Sequence, residues 1–430
     1  MRRLALAALA ALFLAGLADA APVQPNDPAW PDQWAQRKIG LPQIWEVTTG
    51  DPGIVIATID TGVNVIPDLQ DALVPGWDFV ENDAQPQDTQ GHGTRVAAVI
   101  AARGNNQLDM AGHCWRCKIM PVRVTAGGAA SAERVAAGIN WATEHGARII
   151  NVSLSHTGFP DASEAQAVRN AIDSGVVVIA SAGNSGSEAP QYPGAYPGVL
   201  SVGATDDADG LYFWSSRGPW VALTAPGCHM VTDATTRPGT ICGTSFTPAA
   251  VSGVAGLLLS RNPSLTANQV RGALTSTAVP VPGVAFGRID PVAAFQQLGL
   301  LAVPPQPAAA PPAARPPATP PAARPRPAPG QLYTRQTWFE TGTFRGGFRS
   351  PFRVGRGRFE MQLLMPRASD CTLSLRTPTE LIVGSPPLTN LLSLSVRVTA
   401  GRYTAEVRCR GARTRQYSLG VIAMLPRVTP

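Results

Sequence analysis

Residues 53–60 read GIVIATID, a nearly continuous apolar run that ends in a carboxylate and is followed by Thr61-Gly62. A run of this kind is typical of a strand buried on both faces of a parallel sheet. Similar runs follow at residues 119–124, 148–154, 176–181, 199–203 and 221–225. Ligands of parallel sheets bind beyond the carboxyl ends of the strands, so the polar residues after each run are the first candidates for function.

Helical stretches separate several of these runs, at residues 94–102, 131–145 and 164–174. Strands and helices that alternate in this way require crossover connections, which place helices on both faces of one parallel sheet. The sequence therefore predicts an α/β fold for the first two thirds of the chain.

The 430 residues, 44% of them hydrophobic, are enough for two or three domains. Residues 1–20 combine MRR, an apolar stretch and Ala18-Asp19-Ala20, which predicts a signal peptide cleaved after Ala20. The alternative is a membrane anchor, but the apolar stretch is shorter than the roughly 20 residues that a membrane span requires.

The remaining chain divides by composition. Residues 21–50 are rich in Pro and Trp and predict an N-terminal arm over a main domain at residues 51–301. Residues 302–330 are almost entirely Pro and Ala, which predicts an extended linker. Residues 331–430 alternate apolar and polar side chains between Gly and Pro, the pattern of a small all-β, sandwich-like domain.

The formal charge of +6 is unevenly distributed, because residues 302–430 contain 18 Arg, no Lys and few acidic residues. An arginine-rich C-terminal region predicts contact with an anionic surface. The alternative is that arginine only keeps this region soluble. We expect a monomer with no specific nucleic-acid partner.

Six cysteines in an exported chain are candidates for disulfide bonds. Proximity in the sequence favours three pairs, although fifteen pairings are conceivable. A lone Cys-x-x-Cys is also compatible with half a zinc site or a redox pair. The favoured pairs are Cys114 with Cys117, Cys228 with Cys242, and Cys371 with Cys409.

Residues 243–248 read GTSFTP and lead into the apolar stretch 249–259, which predicts a long buried helix. A serine at the start of such a helix lies at the positive end of the helix dipole, where an oxyanion is stabilised. Ser245 is therefore a candidate nucleophile, and the alternative is that Thr244 or Ser245 only caps the helix.

Three other motifs carry side chains of the same chemistry. Asp60 ends the first predicted strand in Asp-Thr-Gly, His92 lies in Gly-His-Gly-Thr, and Asn184 lies in Ala-Gly-Asn-Ser-Gly. Each is ambiguous alone, since a lone Asp-Thr-Gly also occurs in aspartic proteases, which need two carboxylates. A single His or Asn is often structural.

Together, the four motifs resemble the subtilisin-like serine proteases (subtilases, peptidase family S8), in which they occur in the same order. The resemblance extends from about residue 26 to residue 298 and is supported by flanking motifs. These are PDL at 67–69, IINVSL at 149–154, YPGAYP at 192–197, SSRG at 215–218 and APG at 225–227.

The resemblance implies a subtilisin-like fold and a secreted serine endopeptidase of broad specificity that needs no cofactor for its chemistry. Ser245 would attack the peptide carbonyl, His92 would transfer the proton, and Asp60 would hold the imidazole. The Asn184 amide and the Ser245 N–H would bind the oxyanion. The substrates would be polypeptides, and the enzyme would act outside the cell or in the periplasm.

A substrate of this family pairs with an edge that corresponds to Ser153, Leu154 and Ser155. The family usually has Gly at the position of Ser155, and a side chain there is expected to narrow the pocket for the residue before the cut. A second departure follows the nucleophile, because Pro248 comes one residue early and Ala249-Ala250 replaces the usual Pro-His. We expect only a local adjustment, since proline is tolerated in a first helical turn.

The resemblance also implies a structural calcium site at Asp27, Asp68 and Asn106, whose oxygen ligands suit this ion. The alternative is that these residues only form turns. The C-terminal region weakly resembles the pre-peptidase C-terminal β-domains of secreted proteases. Two other functions remain open on the same fold: a peptide ligase, which resolves the acyl-enzyme with an amine, and a catalytically silent binding protein.

Overall fold

The structure is a computed structural model that describes residues 22–233 and 238–301 in full, and the backbone of strands between residues 333 and 426. The predicted signal peptide at 1–20 and the predicted linker at 302–330 lie outside the described residues, so both stay predictions.

A parallel sheet forms the centre of the main body, as the sequence predicts. It has eight strands, because the short strands β2 and β10 extend the six predicted ones, and hairpin β8–β9 lies outside it. The strand order in the sheet is β10-β7-β6-β5-β4-β1-β3-β2, and all seven ladders are parallel. The strands are β1 Val55–Asp60, β2 Trp77–Asp78, β3 Lys118–Arg123, β4 Ile149–Val152, β5 Val177–Ser181, β6 Leu200–Thr205, β7 Leu223–Pro226, β8 Cys228–Val231, β9 Gly239–Cys242 and β10 Gly287–Arg288.

Helices cover both faces of this sheet, which confirms the α/β fold class. Several begin at a polar cap, as α5 does at Asp161, whose carboxylate accepts the N–H groups of Ser163 and Glu164. The helices are α1 Trp34–Lys38, α2 Leu41–Ile44, α3 His92–Ala101, α4 Ala132–Glu144, α5 Ala162–Asp173, α6 Phe246–Arg261, α7 Ala267–Ser276 and α8 Pro291–Gln297.

The two faces of the sheet bury separate hydrophobic cores. Ile56 contributes to the core that contains α3 and α6, whereas its neighbour Ala57 contributes to the core that contains α4 and α5. Neighbouring residues of a strand point to opposite faces, so a strand covered on both sides must be apolar throughout. This explains the unbroken run at residues 53–60.

Helix α6 is the central helix, because every residue from Phe246 to Leu259 is buried. Pro248 lies in its first turn, where backbone N–H groups need no partner within the helix. The early proline is thus accommodated without interrupting the helix.

Two boundaries differ from the prediction in ways that matter for the site. Helix α3 begins at His92, two residues before the predicted start, so the imidazole belongs to its first turn. Strand β4 ends at Val152 instead of residue 154, so residues 153–155 lie beyond the end of the strand.

The N-terminal arm packs into the same core as α3 and α6. Trp30, Leu41 and Trp45 are buried, and the rings of Trp45 and Trp115 lie 4.5 Å apart. The arm is also bonded to the body, since Gln33 Nε2 donates to the Ala111 carbonyl at 2.6 Å.

Beyond residue 332, the described backbone forms two four-stranded antiparallel sheets, ordered β11-β18-β13-β16 and β12-β17-β14-β15. That this region is an independent, sandwich-like domain stays a prediction. The strands are β11 Tyr333–Arg345, β12 Gly347–Val354, β13 Gly357–Leu364, β14 Cys371–Arg376, β15 Leu381–Ser385, β16 Leu391–Val398, β17 Gly401–Cys409 and β18 Thr414–Pro426. No helix in the described ranges is long and apolar enough to cross a membrane.

Candidate active site

Asp60 and His92 meet beyond the carboxyl end of β1. Asp60 is the last residue of that strand and is completely buried. His92 Nδ1 lies 2.6 Å from Asp60 Oδ1, which also accepts the Thr61 N–H at 2.7 Å. The carboxylate therefore fixes the imidazole with Nδ1 protonated, and Nε2 is left as the basic nitrogen.

The charge of Asp60 also changes the acidity of His92. Burial has the largest effect and lowers the pKa of His92, but the charge and hydrogen bond of Asp60, with the charge of Asp88, together raise it above the ordinary value of 6.5. The net direction is upward because the imidazolium gains an anionic partner at hydrogen-bonding distance.

Asp88 positions this pair, and sequence reasoning missed it. Its Oδ1 accepts hydrogen bonds from the Gly91 N–H at 2.7 Å and the Thr61 hydroxyl at 2.9 Å. Its Oδ2 accepts the N–H and the hydroxyl of Thr94, at 2.8 and 2.7 Å. One buried carboxylate thus caps the helix of His92 and holds the loop after Asp60. The sequence carries no capping signal here, because Asp88 lies six residues before the predicted helix start at residue 94.

Gly93 allows the helix to approach the strand end. A Cβ at this position would overlap the Gly62 carbonyl and lie 3.1 Å from the Asp60 side chain. Close packing therefore requires glycine at the second glycine position of the Gly-His-Gly pattern.

Ser245 occupies the residue before α6, but its side chain makes no capping hydrogen bond. The capping alternative is therefore wrong for Ser245, whose hydroxyl is not committed to the helix. The residue is half-buried, and its carbonyl accepts the Ser153 hydroxyl at 2.6 Å. The Ser153 hydroxyl in turn accepts a hydrogen bond from the Asn151 amide at 2.9 Å, which anchors the turn at residues 243–245 to β4.

Asn184 lies beside the same turn. Its Oδ1 accepts the N–H and the hydroxyl of Thr244, at 2.9 and 2.8 Å, which fixes the orientation of the amide. A Cβ placed on Gly243 would lie 3.9 Å from Ser245 N and 4.0 Å from Asn184 Nδ2. The two expected oxyanion donors therefore border one small volume in front of Gly243.

A disulfide bond closes the hairpin that directly precedes residues 243–245. Cys228 and Cys242 are bonded and are register partners in β8 and β9. A buried ion pair between Arg95 and Asp233 links the same hairpin to α3. The disulfide bond thus closes the hairpin, and the ion pair joins it to the helix that carries His92.

The other cysteine predictions have different outcomes. Cys114 and Cys117 form the predicted disulfide. A zinc site needs thiolates, which this bond removes, whereas a redox pair has the same bond in its oxidised form. Cys371 and Cys409 are register partners on β14 and β17, but their side chains lie outside the described residues.

Two buried carboxylates and one amide meet where calcium is expected. Asn106 Nδ2 donates to Asp68 at 2.9 Å, and the Asn106 N–H lies 3.3 Å from Asp27 Oδ1. Burial raises the pKa of both Asp27 and Asp68. Within residues 22–233 and 238–301, neither has a cationic partner, and no cluster of three His, Cys, Asp or Glu could hold a metal. Carboxylate oxygens suit a hard cation, but Asn106 directs its Nδ2 to Asp68, and its Oδ1 accepts the Leu108 N–H at 2.9 Å. The calcium site therefore stays a prediction.

The chain resembles known proteins in both sequence and structure. Residues 51–305 match the model of the subtilase family. The chain is 39% identical to thermitase of Thermoactinomyces vulgaris over 280 residues, which cover 63% of this chain and 99% of thermitase. It is 34% identical to subtilisin Savinase of Lederbergia lenta over 250 residues, 57% of this chain and 90% of that protein. The structure of a protease from Pseudoalteromonas arctica PAMC 21717 covers 64% of this chain and 99% of its own, with a TM-score of 0.60 and 27% identity.

Proposed function

The chain belongs to the subtilase family and is a subtilisin-like serine protease, and we propose that it hydrolyses peptide bonds with a triad of Ser245, His92 and Asp60. The observation that carries this proposal is the Asp60–His92 hydrogen bond of 2.6 Å, together with a Ser245 hydroxyl that is not used as a helix cap. A base that is already oriented and a free hydroxyl at a helix start are the requirements of acyl transfer.

In the proposed reaction, Ser245 Oγ attacks the peptide carbonyl carbon while its proton moves to His92 Nε2. The imidazolium then gives this proton to the leaving amine, and water hydrolyses the acyl-enzyme by the same route in reverse. Asp60 stays ionised and stabilises the imidazolium through Nδ1. The Ser245 N–H and the Asn184 amide stabilise the tetrahedral oxyanion.

Polypeptides are the substrates of such a protease, and we propose that they bind as extended strands along residues 153–155. These residues lie beyond the ladders of β4, which end at Val152. An edge of this kind binds any sequence through main-chain hydrogen bonds, which supports broad specificity along the substrate chain.

We also propose that the protein is exported from the cytoplasm. Two disulfide bonds in the described part of the chain support an oxidising compartment, outside the cell or in the periplasm. N-terminal sequencing of the secreted protein, with cleavage after Ala20 as the expected result, tests this step.

A serine-reactive phosphonate tests the triad directly. We expect covalent labelling of the purified full chain at Ser245 and cleavage of a peptide library, with neither in Ser245→Ala. Mass spectrometry of the products separates hydrolysis from ligation, because only ligation joins an added amine to the acyl fragment. Absence of labelling in a folded wild-type protein would contradict the proposed function.

A further inference from the structure

A buried ion pair joins the two segments that carry the proposed base and lead to the proposed nucleophile. Arg95 lies on α3, one helical turn after His92, and is 5% exposed. Asp233 lies two residues beyond the end of β8 and is 8% exposed. The guanidinium and the carboxylate are in direct contact. At this depth, loss of the carboxylate leaves the guanidinium without its counter-charge, which is costly.

The ion pair packs against the residue that directly precedes His92. A Cβ placed on Gly91 would lie 3.1 Å from Asp233 Oδ2 and 3.5 Å from Arg95 Cζ. Gly91 has a φ of +80°, and its carbonyl accepts the Arg95 N–H at 3.2 Å. The backbone at the start of α3, from which the imidazole projects, therefore lies against both charged groups.

On its other side, the ion pair holds the segment that leads to Ser245. Strand β8 is paired with β9 along its whole length, and β9 ends directly before Gly243. The Thr232 hydroxyl donates to Asp109 at 3.0 Å, in the loop after α3, so the end of β8 is held at two neighbouring residues, Thr232 and Asp233. A shift of the hairpin would move Ser245 relative to the helix that begins with the base.

We propose that Arg95 and Asp233 are positioning residues, which hold the turn of Ser245 at the distance from His92 that proton transfer requires. The inference rests on the proposed triad. Catalysis is sensitive to such placement, because a misplacement of about 1 Å costs up to about 10² in rate. Two opposite charges buried together resist sliding, since separating them leaves each in an apolar surrounding.

The ion pair also places charge beside the base. Residues three apart lie on the same side of a helix, so Arg95 is a neighbour of His92. Burial has the largest effect and lowers the pKa of His92. Of the charged groups around it, Asp60 and Asp88 raise this pKa, whereas Arg95 lowers it. Asp233 offsets the charge of Arg95, so loss of one partner and loss of the other change the acidity of His92 in opposite directions.

Steady-state kinetics of the full-length enzyme on one peptide substrate test the proposal. We expect Asp233→Asn to lower kcat about tenfold at a nearly unchanged KM. The acid limb of its kcat/KM profile should move to lower pH by roughly 0.3 unit or more, since the charge of Arg95 is no longer offset. Arg95→Met should also lower kcat, but should move the limb to higher pH. An ion pair that only stabilised the fold would not produce opposite shifts.

Asp209→Asn is the matched control. Asp209 is the carboxylate partner of Arg288 on the edge strand β10, and Arg288 is also buried. This variant therefore removes a carboxylate from another buried guanidinium, away from the helix of His92. We expect its kcat and its acid limb to keep their wild-type values.

A double variant keeps the test decisive if the single variants do not fold. Arg95→Met combined with Asp233→Leu replaces the ion pair by apolar side chains, which buried sites often tolerate. It should have a lowered kcat and the wild-type acid limb, because both charges are absent. Wild-type kcat in a folded variant would overturn the proposal, as would limbs that do not move in opposite directions in the single variants. Phosphonate labelling of the wild type tests the triad separately, so labelled enzyme with either result contradicts only the positioning role.

Discussion

The orientation of one amide decides how Asn184 can act. Because Asn184 Oδ1 accepts two hydrogen bonds from Thr244, Nδ2 is the group left to donate to an oxyanion. A donor of this type stabilises the transition state much more than the bound substrate. Asn184 should therefore affect kcat and hardly affect KM.

We predict that Asn184→Ala lowers kcat by about 10²–10³, which corresponds to roughly 3–4 kcal/mol, at an almost unchanged KM. Steady-state kinetics on one peptide substrate measure both constants, and circular dichroism checks the fold. Asn170→Ala, at an exposed asparagine on α5, is the matched control and should keep wild-type kinetics. Unchanged turnover in Asn184→Ala would remove this residue from the oxyanion site.

The acidity of His92 makes the activity depend on pH. In the proposed triad, His92 must be neutral to accept the Ser245 proton. Burial has the largest effect and lowers the pKa of His92, but the charge and hydrogen bond of Asp60, with the charge of Asp88, raise it above 6.5. Activity is therefore lost as the pH falls through a value above 6.5. We predict that the acid limb of the kcat/KM profile has its midpoint above pH 6.5.

The pH profile of kcat/KM in Asp60→Asn shows whether the charge of Asp60 sets the position of the acid limb. Removing the charge of Asp60 leaves burial as the dominant effect, so the acid limb should move to lower pH, and kcat should fall by about 10⁴ because the tautomer is no longer fixed. A limb that stays in place would show that another group controls it.

The residue roles that the sequence predicted are those carried by short motifs. Asp60, His92, Asn184 and Ser245 each lie in a pattern of three to five residues, whose order alone predicted the site. Asp88 could not be found in this way. Its role arises from hydrogen bonds to the loop after Asp60 and to the start of α3, which only the fold brings together.

The hairpin of β8 and β9 ends directly before residues 243–245 and therefore positions the turn that carries Ser245. It was not predicted, because strands of four residues with mixed polarity leave little periodicity to detect. The cysteines at its base were the visible signal. Their bond closes a loop with a sequence separation of 14.

We predict that replacing Cys228 and Cys242 by Ser lowers the free energy of unfolding by about 3 kcal/mol, the chain-entropy value for a loop of this size. It should also lower kcat, because the nucleophile turn loses its anchor. Chemical denaturation and kinetics on the same preparation measure the two effects.

The Cys114–Cys117 bond provides the control, since its cysteines are equally buried but close a loop with a separation of only 3. The corresponding double Ser variant should lose about 2 kcal/mol by the same relation and keep its kcat. Equal kcat values in the two double variants would contradict the anchoring role of the hairpin.

The N-terminal arm and the main domain meet at Asp27. Asp27 accepts the Asn105 N–H at 2.7 Å, while Asp68 belongs to the turn after β1. The negative charges of two buried carboxylates repel each other. A cation bound between them would offset this repulsion and hold the arm to the body. The alternative, a purely turn-forming role, requires no ion.

We predict that calcium at about 100 times its Kd stabilises the folded chain by about 2.7 kcal/mol, and that chelation lowers the Tm accordingly. Thermal melts with and without calcium measure the difference, which Asp27→Asn combined with Asp68→Asn should abolish. Asp51→Asn, at an exposed carboxylate, should retain it. Identical melting curves with and without chelator in the wild type would leave these residues with the turn-forming role.

Charge is distributed unevenly between the C-terminal region and the rest of the chain. Residues 302–430 carry 18 Arg against five acidic residues, whereas the rest of the chain has more acidic than basic residues. We predict that the full chain is retained on a sulfated polysaccharide resin and that a chain ending at Leu301 is not. Salt should release the full chain, because the Debye length falls from about 10 Å at 0.1 M to about 3 Å at 1 M. Retention that resists salt, or equal retention of both chains, would show that the arginines serve solubility instead of binding an anionic surface.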